Sequence, residues 1–129
     1  MNALIIDDSH AMRRILGKMM TGLGFEILEA ENGAEGWEAF LANTDSIEVT
    51  LVDWNMPVMT GLEFVEAVRA RNEFATDKLV MVTTETEPVQ MTRALMAGVD
   101  EFVMKPFTTE ILIDKLKLIG VRMPTSVAK

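Results

Sequence analysis

Residues 48–53 read EVTLVD, and this stretch decides the fold. The four residues before the final aspartate are apolar or β-branched, with no alternation between apolar and charged positions. Such a run is typical of a strand that is buried on both faces of a parallel sheet. Runs of a similar kind occupy residues 3–6, 26–30, 78–82 and 101–104, so the sequence predicts five strands, the third over residues 48–52.

An amphipathic helical pattern follows each predicted strand. Apolar residues recur at intervals of three and four, which places them on one face of a helix. These residues are Met12, Ile15, Leu16, Met19, Met20 and Leu23 in the first helix, Ala34, Trp37 and Leu41 in the second, Leu62, Val65 and Val68 in the third, and Leu112, Leu116 and Ile119 in the fifth, with the fourth helix over residues 87–96. Ser9 and either Thr108 or Thr109 are predicted N-caps, and Gly24 and Gly98 are predicted to end helices.

Five strands that alternate with five helices predict an α/β fold with right-handed crossovers. We expect a flavodoxin-like, doubly wound (βα)5 domain whose five-stranded parallel sheet has the order 2-1-3-4-5. The domain is predicted to span residues 1–122, and residues 123–129 are expected to form a C-terminal tail.

Charge and composition exclude several classes of protein. The formal net charge is -8, and no basic cluster exists to neutralise nucleic-acid phosphates or anionic lipids. The chain has no cysteine, which excludes disulfides and thiolate chemistry. No apolar segment is long enough for a signal peptide or a membrane span. We therefore expect a cytoplasmic protein that binds neither nucleic acid nor membrane.

Polar side chains stand where four of the predicted strands end. Asp7 and Asp8 follow the first strand, Asp53 follows the third, Thr83 ends the fourth and Lys105 follows the fifth. In an open parallel sheet, ligands bind outside the carboxyl ends of the strands. The sequence therefore predicts three carboxylates, a hydroxyl and an ammonium group at one edge of the sheet.

Three carboxylates in one pocket repel each other, by roughly 4 kcal/mol for two charges about 4 Å apart at an effective dielectric constant of about 20. A divalent cation would remove this repulsion, and oxygen ligands without His or Cys favour Mg²⁺, with Mn²⁺ as the alternative. Protein-bound Mg²⁺ often also binds a phosphate of the substrate. The site therefore predicts phosphoryl transfer onto a carboxylate, with Lys105 and Thr83 holding the transferring oxygens.

At these residues the chain resembles the bacterial response-regulator receiver family. The resemblance covers about positions 3–119 and rests on four motifs, which occur in order at the ends of predicted strands. They are Ile6-Asp7-Asp8-Ser9, Asp53-Trp54-Asn55-Met56-Pro57 with Gly61, Val82-Thr83, and Lys105-Pro106-Phe107. Each motif alone is weak, whereas the four together at these spacings are highly specific.

The resemblance implies a role for each matching residue. Asp53 matches the aspartate that is phosphorylated, Asp8 the direct Mg²⁺ ligand, and Asp7 the acid that holds the cation through water. Asn55 matches the position whose backbone carbonyl binds the cation. The other matches are Thr83, the hydroxyl that moves toward the phosphoryl group, Lys105, the lysine of the family's pattern, and Pro106, the family's usual cis proline.

The residues around the acceptor make the chain most similar to the family's stand-alone chemotaxis regulators. Trp54 follows the acceptor, Asn55 and Glu85 match the two positions that flank the attacking water, and no output domain is present. The resemblance thus implies a phosphoacceptor signalling protein. Such a protein catalyses only its own phosphorylation and dephosphorylation and is not otherwise an enzyme.

The partners implied by the resemblance are a sensor histidine kinase, a phosphatase and a downstream target such as the flagellar switch. The target would bind the face built by the fourth helix, fifth strand and fifth helix, on or near which Arg93, Met96 and Phe102 are predicted to lie. Phe102 replaces a switch residue that is often tyrosine, and we expect it to rotate inward when Thr83 moves. Thr84 is bulkier than is usual at its position. The alternative is a phosphate sink or a phosphorelay intermediate in another pathway.

Other interpretations of the same residues stay open. A haloacid-dehalogenase-like phosphatase would need a second acid where Asn55 stands, and a nucleotide-binding module would need a phosphate-binding loop after the first strand. A degenerate receiver would bind its partners without phosphorylation. We also expect Trp37 in the core, Trp54 half-exposed beside the site, and His10 as a surface residue of the first helical turn.

Overall fold

Five parallel strands form one sheet with helices on both of its faces. The computed structural model of the protein describes residues 1–56, 58–84 and 87–124. The strands are β1 (Asn2–Ile6), β2 (Glu26–Ala30), β3 (Ile47–Val52), β4 (Lys78–Thr83) and β5 (Glu101–Met104). The helices are α1 (His10–Gly22), α2 (Gly33–Ala42), α3 (Gly61–Arg69), α4 (Pro88–Ala97) and α5 (Thr109–Leu118), with a short 3-10 helix over Asn72–Phe74. The sheet order is β2-β1-β3-β4-β5 with every neighbouring pair parallel, which confirms the predicted fold.

The sheet buries a separate apolar cluster on each face. Leu4 and Ile6 of β1 belong to a cluster that also contains residues of α2, α3 and α4. Ala3 and Ile5 of the same strand belong to a second cluster, together with residues of α1 and α5. Neighbouring residues of a strand point to opposite faces. Because both faces are buried along most of β1, β3 and β4, these strands carry nearly uninterrupted apolar runs rather than an alternating pattern.

The helix ends agree with most of the predicted caps. The Ser9 hydroxyl accepts a hydrogen bond from the N–H of Met12 at 3.2 Å, and Thr108 caps α5 in the same way. Gly98 ends α4 in the left-handed conformation, at φ +114°. Gly24 stands one residue beyond the C-cap of α1 and has a φ of +98°. Glycine adopts this conformation without the steric cost that a Cβ imposes.

The buried face of α2 differs from the prediction. Leu41 is exposed, whereas Phe40 is buried together with Gly33 and Gly36. The prediction was wrong because it considered apolar side chains only, while the face that packs on the sheet contains two glycines. A Cβ on Gly36 would overlap the side chain of Ile6, so α2 can lie this close to β1 only without one.

The two tryptophans both contribute to the cluster on the side of α2, α3 and α4. Trp37 is partly buried there, and its ring centroid lies 6.1 Å from that of Phe40 in a stacked arrangement. Trp54 is only 9% exposed, which corrects the expectation of a half-exposed side chain. Met56 and Leu62 belong to the same cluster, so the connection between β3 and α3 adds its apolar side chains to the core.

The segment that follows α5 stays against the domain as far as it is described. Val121 is buried, and Met123 is partly buried, in the cluster on the side of α1 and α5. Residues 125–129, most of the predicted tail, lie outside the described residues. The boundary at residue 122 stays a prediction. Within the described ranges, no helix is both long and apolar enough to cross a bilayer.

Candidate functional site

Three carboxylates and an ammonium group meet at the carboxyl edge of the sheet. Asp7, Asp8 and Asp53 offer carboxylate oxygens that all lie within 4.8 Å of one another. We call these three residues the acidic cup. The Nζ atom of Lys105 lies 3.1 Å from Oδ2 of Asp7 and 3.5 Å from Oδ1 of Asp53. Side chains from the ends of β1, β3 and β5 therefore converge, as the strand-end argument predicts.

Short hydrogen bonds to the backbone orient two of the carboxylates. Asp7 is buried, and its Oδ1 accepts a hydrogen bond from the N–H of Ser9 at 2.9 Å. Asp53 is also buried, and its Oδ1 accepts from the N–H of Trp54 at 2.9 Å. Asp8 is exposed and faces solvent at the mouth of the cup. The site thus combines two fixed carboxylates with one that is open to a ligand.

Gly61 allows α3 to pack directly against the backbone of Asp53. A Cβ at this first residue of α3 would overlap the carbonyl group of Asp53, and the Gly61 N–H donates to the Trp54 carbonyl at 3.0 Å. Thr60 and Glu63 form a capping box immediately around it. The start of α3 therefore holds the peptide that carries the central carboxylate, and a larger residue at position 61 would displace that peptide.

Burial raises the pKa of Asp53 from its ordinary value of 3.8 to about 6. The Lys105 ammonium and the N–H of Trp54 oppose this rise, whereas the charges of Asp7 and Asp8 add to it. Charge repulsion and burial both disfavour an ionised carboxylate, so ionisation of Asp53 makes the folded chain less stable relative to the unfolded chain. A bound cation would remove that loss of stability.

The donors of the acidic cup fit a hard divalent cation. All three side chains are carboxylates, and Lys105 offsets only part of their combined charge. Oxygen donors without imidazole or thiolate are the set that Mg²⁺ and Mn²⁺ prefer over zinc or copper. The geometry and the chemistry of the cup therefore agree with the predicted cation class.

In the absence of divalent cations, Asp53→Asn is expected to raise the free energy of unfolding by about 3 kcal/mol at about pH 7.5. The pKa of Asp53 is higher in the folded chain than in the unfolded chain, so the ionised carboxylate disfavours folding. This penalty disappears as the pH falls from above 6 toward 3.8. Urea unfolding in EDTA at about pH 7.5 and about pH 4.5 measures the effect.

The advantage of the variant should shrink at the lower pH, because Asp53 of the wild type is then protonated in the folded chain. Comparing the two proteins at each pH cancels the titration of the other groups. A variant less stable than the wild type at about pH 7.5 would mean that the Lys105 ion pair outweighs the burial cost of Asp53.

The other predicted site residues lie around the cup. Thr83 is buried at the end of β4, and its carbonyl accepts from the N–H of Lys105 at 2.9 Å. Asn55 and Thr84 are exposed on the loops that leave β3 and β4. The peptide bond between Lys105 and Pro106 is cis, as the resemblance implied. Glu85 and Pro57 lie outside the described residues.

Phe102 differs from its prediction. It is 7% exposed and belongs to the apolar cluster that also contains Met81, Ala94 and Val99. We expected it on or near the partner-binding face, where it would turn inward only during switching. The ring is already buried in this structure, in the cluster between β4, β5 and α4. The roles of Phe102 in switching and in partner contact stay predictions.

Sequence reasoning missed Arg13, which supports the loop that carries Asp7 and Asp8. Its Nη1 donates to the backbone carbonyl of Asp7 at 2.6 Å, and its Nε donates to Glu29 at 3.2 Å. His10, exposed as expected, lies beside the same guanidinium. A signal for this contact existed, because side chains in a helix point toward its N-terminus, and Arg13 is the fourth residue of α1.

Comparison with known families agrees with this site. Residues 3–117 match the family model of the response regulator receiver domain. The match covers most of the chain, including the residues of the acidic cup and Lys105. The chain therefore belongs to the response regulator receiver domain family.

Within that family the chain is similar to chemotaxis proteins. It is 45% identical over 120 residues to chemotaxis protein CheY1 of Helicobacter pylori, covering 92% of this chain and 96% of that protein. It is 44% identical over 118 residues to a chemotaxis protein CheY homolog of Campylobacter jejuni, covering 91% of this chain and 90% of that protein. It superposes on CheY4 of Vibrio cholerae with a TM-score of 0.83 at 32% identity, covering 92% and 97% of the two chains.

Proposed function

We propose that this protein is a stand-alone response regulator that accepts a phosphoryl group on Asp53 from a sensor histidine kinase. The observation that carries the proposal is the position of the Lys105 ammonium, 3.1 Å from Asp7 and 3.5 Å from Asp53 within the acidic cup. An anionic pocket with one held ammonium suits a substrate that arrives with a phosphoryl group and a divalent cation.

Mg²⁺ is the proposed cofactor, with Mn²⁺ as the alternative. Asp8 and Asp53 would hold the cation directly, Asp7 would hold it through water, and the backbone carbonyl of Asn55 would complete the protein ligands. Asp8 suits the direct role because it is exposed, whereas the buried Asp7 is already paired with Lys105. The bound cation supplies positive charge that balances the carboxylates and the incoming phosphate.

Asp53 is the proposed nucleophile. One of its carboxylate oxygens attacks phosphorus, so that an O–P bond forms while the P–N bond to the kinase histidine breaks. The N–H of Trp54 donates to Oδ1 and holds the carboxylate in place during the attack. Lys105 and the hydroxyl of Thr83 would donate to the transferring oxygens, on which negative charge is spread.

The phosphoryl group is proposed to leave by hydrolysis. Asn55 is exposed at the rim of the cup, and its amide would orient a water in line with the acyl phosphate. Glu85 would orient the same water from the other side, a role that rests on its place in the sequence. A phosphatase partner would accelerate this step. The protein is thus a signalling module and turns over no metabolite.

The signal is proposed to leave through the face of α4, β5 and α5. Met96 is 84% exposed on α4, and Arg93 is exposed one turn earlier. A phosphoryl group on Asp53 adds charge and strong acceptors, which would draw Thr83 toward it and change the packing beneath α4. Because Phe102 already lies inward, the switch would shift the balance between two arrangements of α4.

We place this activity in chemotaxis signalling in the cytoplasm, with the flagellar switch as the downstream target. The support is the 45% and 44% identity to chemotaxis proteins over most of the chain. The alternative is a phosphate sink or a phosphorelay intermediate. A target protein that binds the phosphorylated form far more tightly than the unphosphorylated form would favour chemotaxis signalling over a phosphate sink or a phosphorelay intermediate.

Trp54 fluorescence is expected to report both ligands of the proposed site. The indole is buried and belongs to the residue whose backbone N–H donates to Asp53, so Mg²⁺ binding in the cup should quench its fluorescence, and beryllofluoride should then change the fluorescence again. The experiment uses the Trp37→Phe variant, because Trp37 is the other tryptophan of the chain and its fluorescence would mask that of Trp54. A fluorescence spectrum that neither Mg²⁺ nor beryllofluoride changes would contradict the proposed function. Alkali metal ions serve as the control and should leave the spectrum unaltered.

A further inference from the structure

Arg13 ties the loop between β1 and α1 to the neighbouring strand β2. Its Nη1 donates to the backbone carbonyl of Asp7 at 2.6 Å, and its Nε lies 3.2 Å from a carboxylate oxygen of Glu29 on β2. The arginine side chain is 12% exposed, against 48% for that of Glu29. The Arg13 guanidinium therefore binds the backbone beside the acidic cup, and its ion pair with Glu29 outside the cup holds it in place.

The carbonyl that Arg13 holds belongs to the peptide that joins Asp7 to Asp8. A peptide unit is planar, so the direction of this carbonyl sets the plane from which Asp8 projects. Asp7 is also fixed by its own N–H, which donates to the carbonyl of Ala30 at 3.1 Å, and by Ser9, whose N–H donates to its Oδ1. Asp8 is exposed, and the carbonyl that precedes it is the one that Arg13 contacts.

We propose that Arg13 is a positioning residue for the cation site, acting through the carbonyl of Asp7. This inference rests on the proposed function, since the ligands that it positions are those of the proposed Mg²⁺ site. Groups that orient the ligands of a metal without touching it typically change metal affinity by about tenfold or more. The guanidinium bonds the carbonyl through Nη1 and Glu29 through Nε, two donors held at a fixed angle that the ammonium of a lysine does not reproduce.

The sign of the effect separates positioning from simple electrostatics. A guanidinium near the acidic cup repels a cation, so removing its charge would by itself tighten Mg²⁺ binding. Loss of positioning acts in the opposite direction and weakens binding. Arg14 provides the matched control, because it is the next residue of α1, carries the same charge and is exposed. Among the described contacts, none places Arg14 against the cup.

The experiment measures Mg²⁺ affinity by Trp54 fluorescence in the Trp37→Phe protein with Arg13→Gln, Arg13→Lys or Arg14→Gln added. Arg13→Gln is expected to weaken Mg²⁺ binding by about tenfold, and Arg13→Lys should recover part of the loss. Arg14→Gln should keep the affinity or tighten it slightly. Thermal unfolding in EDTA checks that each variant is folded, and calorimetric titration with Mg²⁺ provides a second measure of affinity.

The rate of phosphorylation by acetyl phosphate separates a positioning role of Arg13 from a general structural defect. At saturating Mg²⁺, Arg13→Gln should be phosphorylated within about twofold of the control rate, because Arg13 touches no reacting atom. The proposal is overturned if Arg13→Gln binds Mg²⁺ as tightly as Arg14→Gln, or if saturating Mg²⁺ leaves the rate strongly reduced. Failure of the wild type to bind Mg²⁺ would instead reject the proposed function.

Discussion

Replacing Asp53 with asparagine is expected to abolish covalent phosphorylation by acetyl phosphate in the presence of Mg²⁺. The amide has no carboxylate oxygen that can attack phosphorus, and no other carboxylate of the cup holds the same place between Lys105 and the N–H of Trp54. The yield of phosphoprotein should fall at least about a hundredfold. Intact-protein mass spectrometry at low temperature measures it, since the wild type should gain the mass of one phosphoryl group.

The matched controls are Asp7→Asn and Asp8→Asn, which make the same isosteric change elsewhere in the acidic cup. Both should slow phosphorylation through a weaker cation site while the phosphoryl group still maps to Asp53. Asp53→Asn should remain folded, and without divalent cations it should be the more stable protein, as argued above. Wild-type yields from Asp53→Asn would remove Asp53 from the proposed mechanism, as would a phosphopeptide that maps to another residue.

Arg69→Met is expected to lower the free energy of unfolding by about 3 kcal/mol. The Arg69 guanidinium donates to the carbonyls of Gly98 at 2.9 Å, Phe74 at 2.8 Å and Asp77 at 2.8 Å, and pairs with Asp100 at 3.0 Å. These bonds join the end of α3 to the starts of β4 and β5 and to the end of α4. Methionine keeps most of the aliphatic stem but leaves these acceptors without their donor, and urea unfolding measures the loss.

Arg71→Met is the matched control for this prediction. Arg71 is more exposed, pairs with the exposed Glu73 at 3.1 Å and lies over the ring of Phe74, so its loss should cost about 0.5 kcal/mol. Arg69 lies at the edge of the sheet opposite the acidic cup, so the folded fraction of Arg69→Met should keep its Mg²⁺ affinity. Equal stability of the two variants would mean that water replaces the arginine at these carbonyls without loss.

The inner strands β1, β3 and β4 were predictable because burial on both faces leaves a local pattern. The sequence of β3 alone is enough to identify a mostly buried strand, and the predicted bounds of all five strands agree with the observed ones to within about one residue. The strand ends then carry the site, because the carboxyl ends of parallel strands share one edge. The meeting of Asp7, Asp8, Asp53 and Lys105 follows from this geometry.

The roles assigned to individual site residues came from the resemblance to receivers rather than from strand positions. Strand-end geometry brings Asp53 together with Asp7 and Asp8 but does not say which of them takes the phosphoryl group. In the structure Asp7 and Asp53 are both buried, each accepts a backbone N–H, and both lie near the Lys105 ammonium, whereas Asp8 is exposed. The proposal that Asp53 is the nucleophile therefore rests on the resemblance.

Local sequence alone therefore determined the strands, most helix caps and the edge at which the charged groups collect, because periodicity and capping chemistry act over a few neighbouring residues. Tertiary structure alone decided that α2 packs through Gly33 and Gly36, that Phe102 lies inward, and that Arg13 and Arg69 hold distant carbonyls. Each of these features depends on distances in the folded chain. A long side chain must reach a particular backbone carbonyl, or a glycine must leave space for a neighbouring segment. Such distances join segments far apart in the chain and leave no periodic pattern in the sequence.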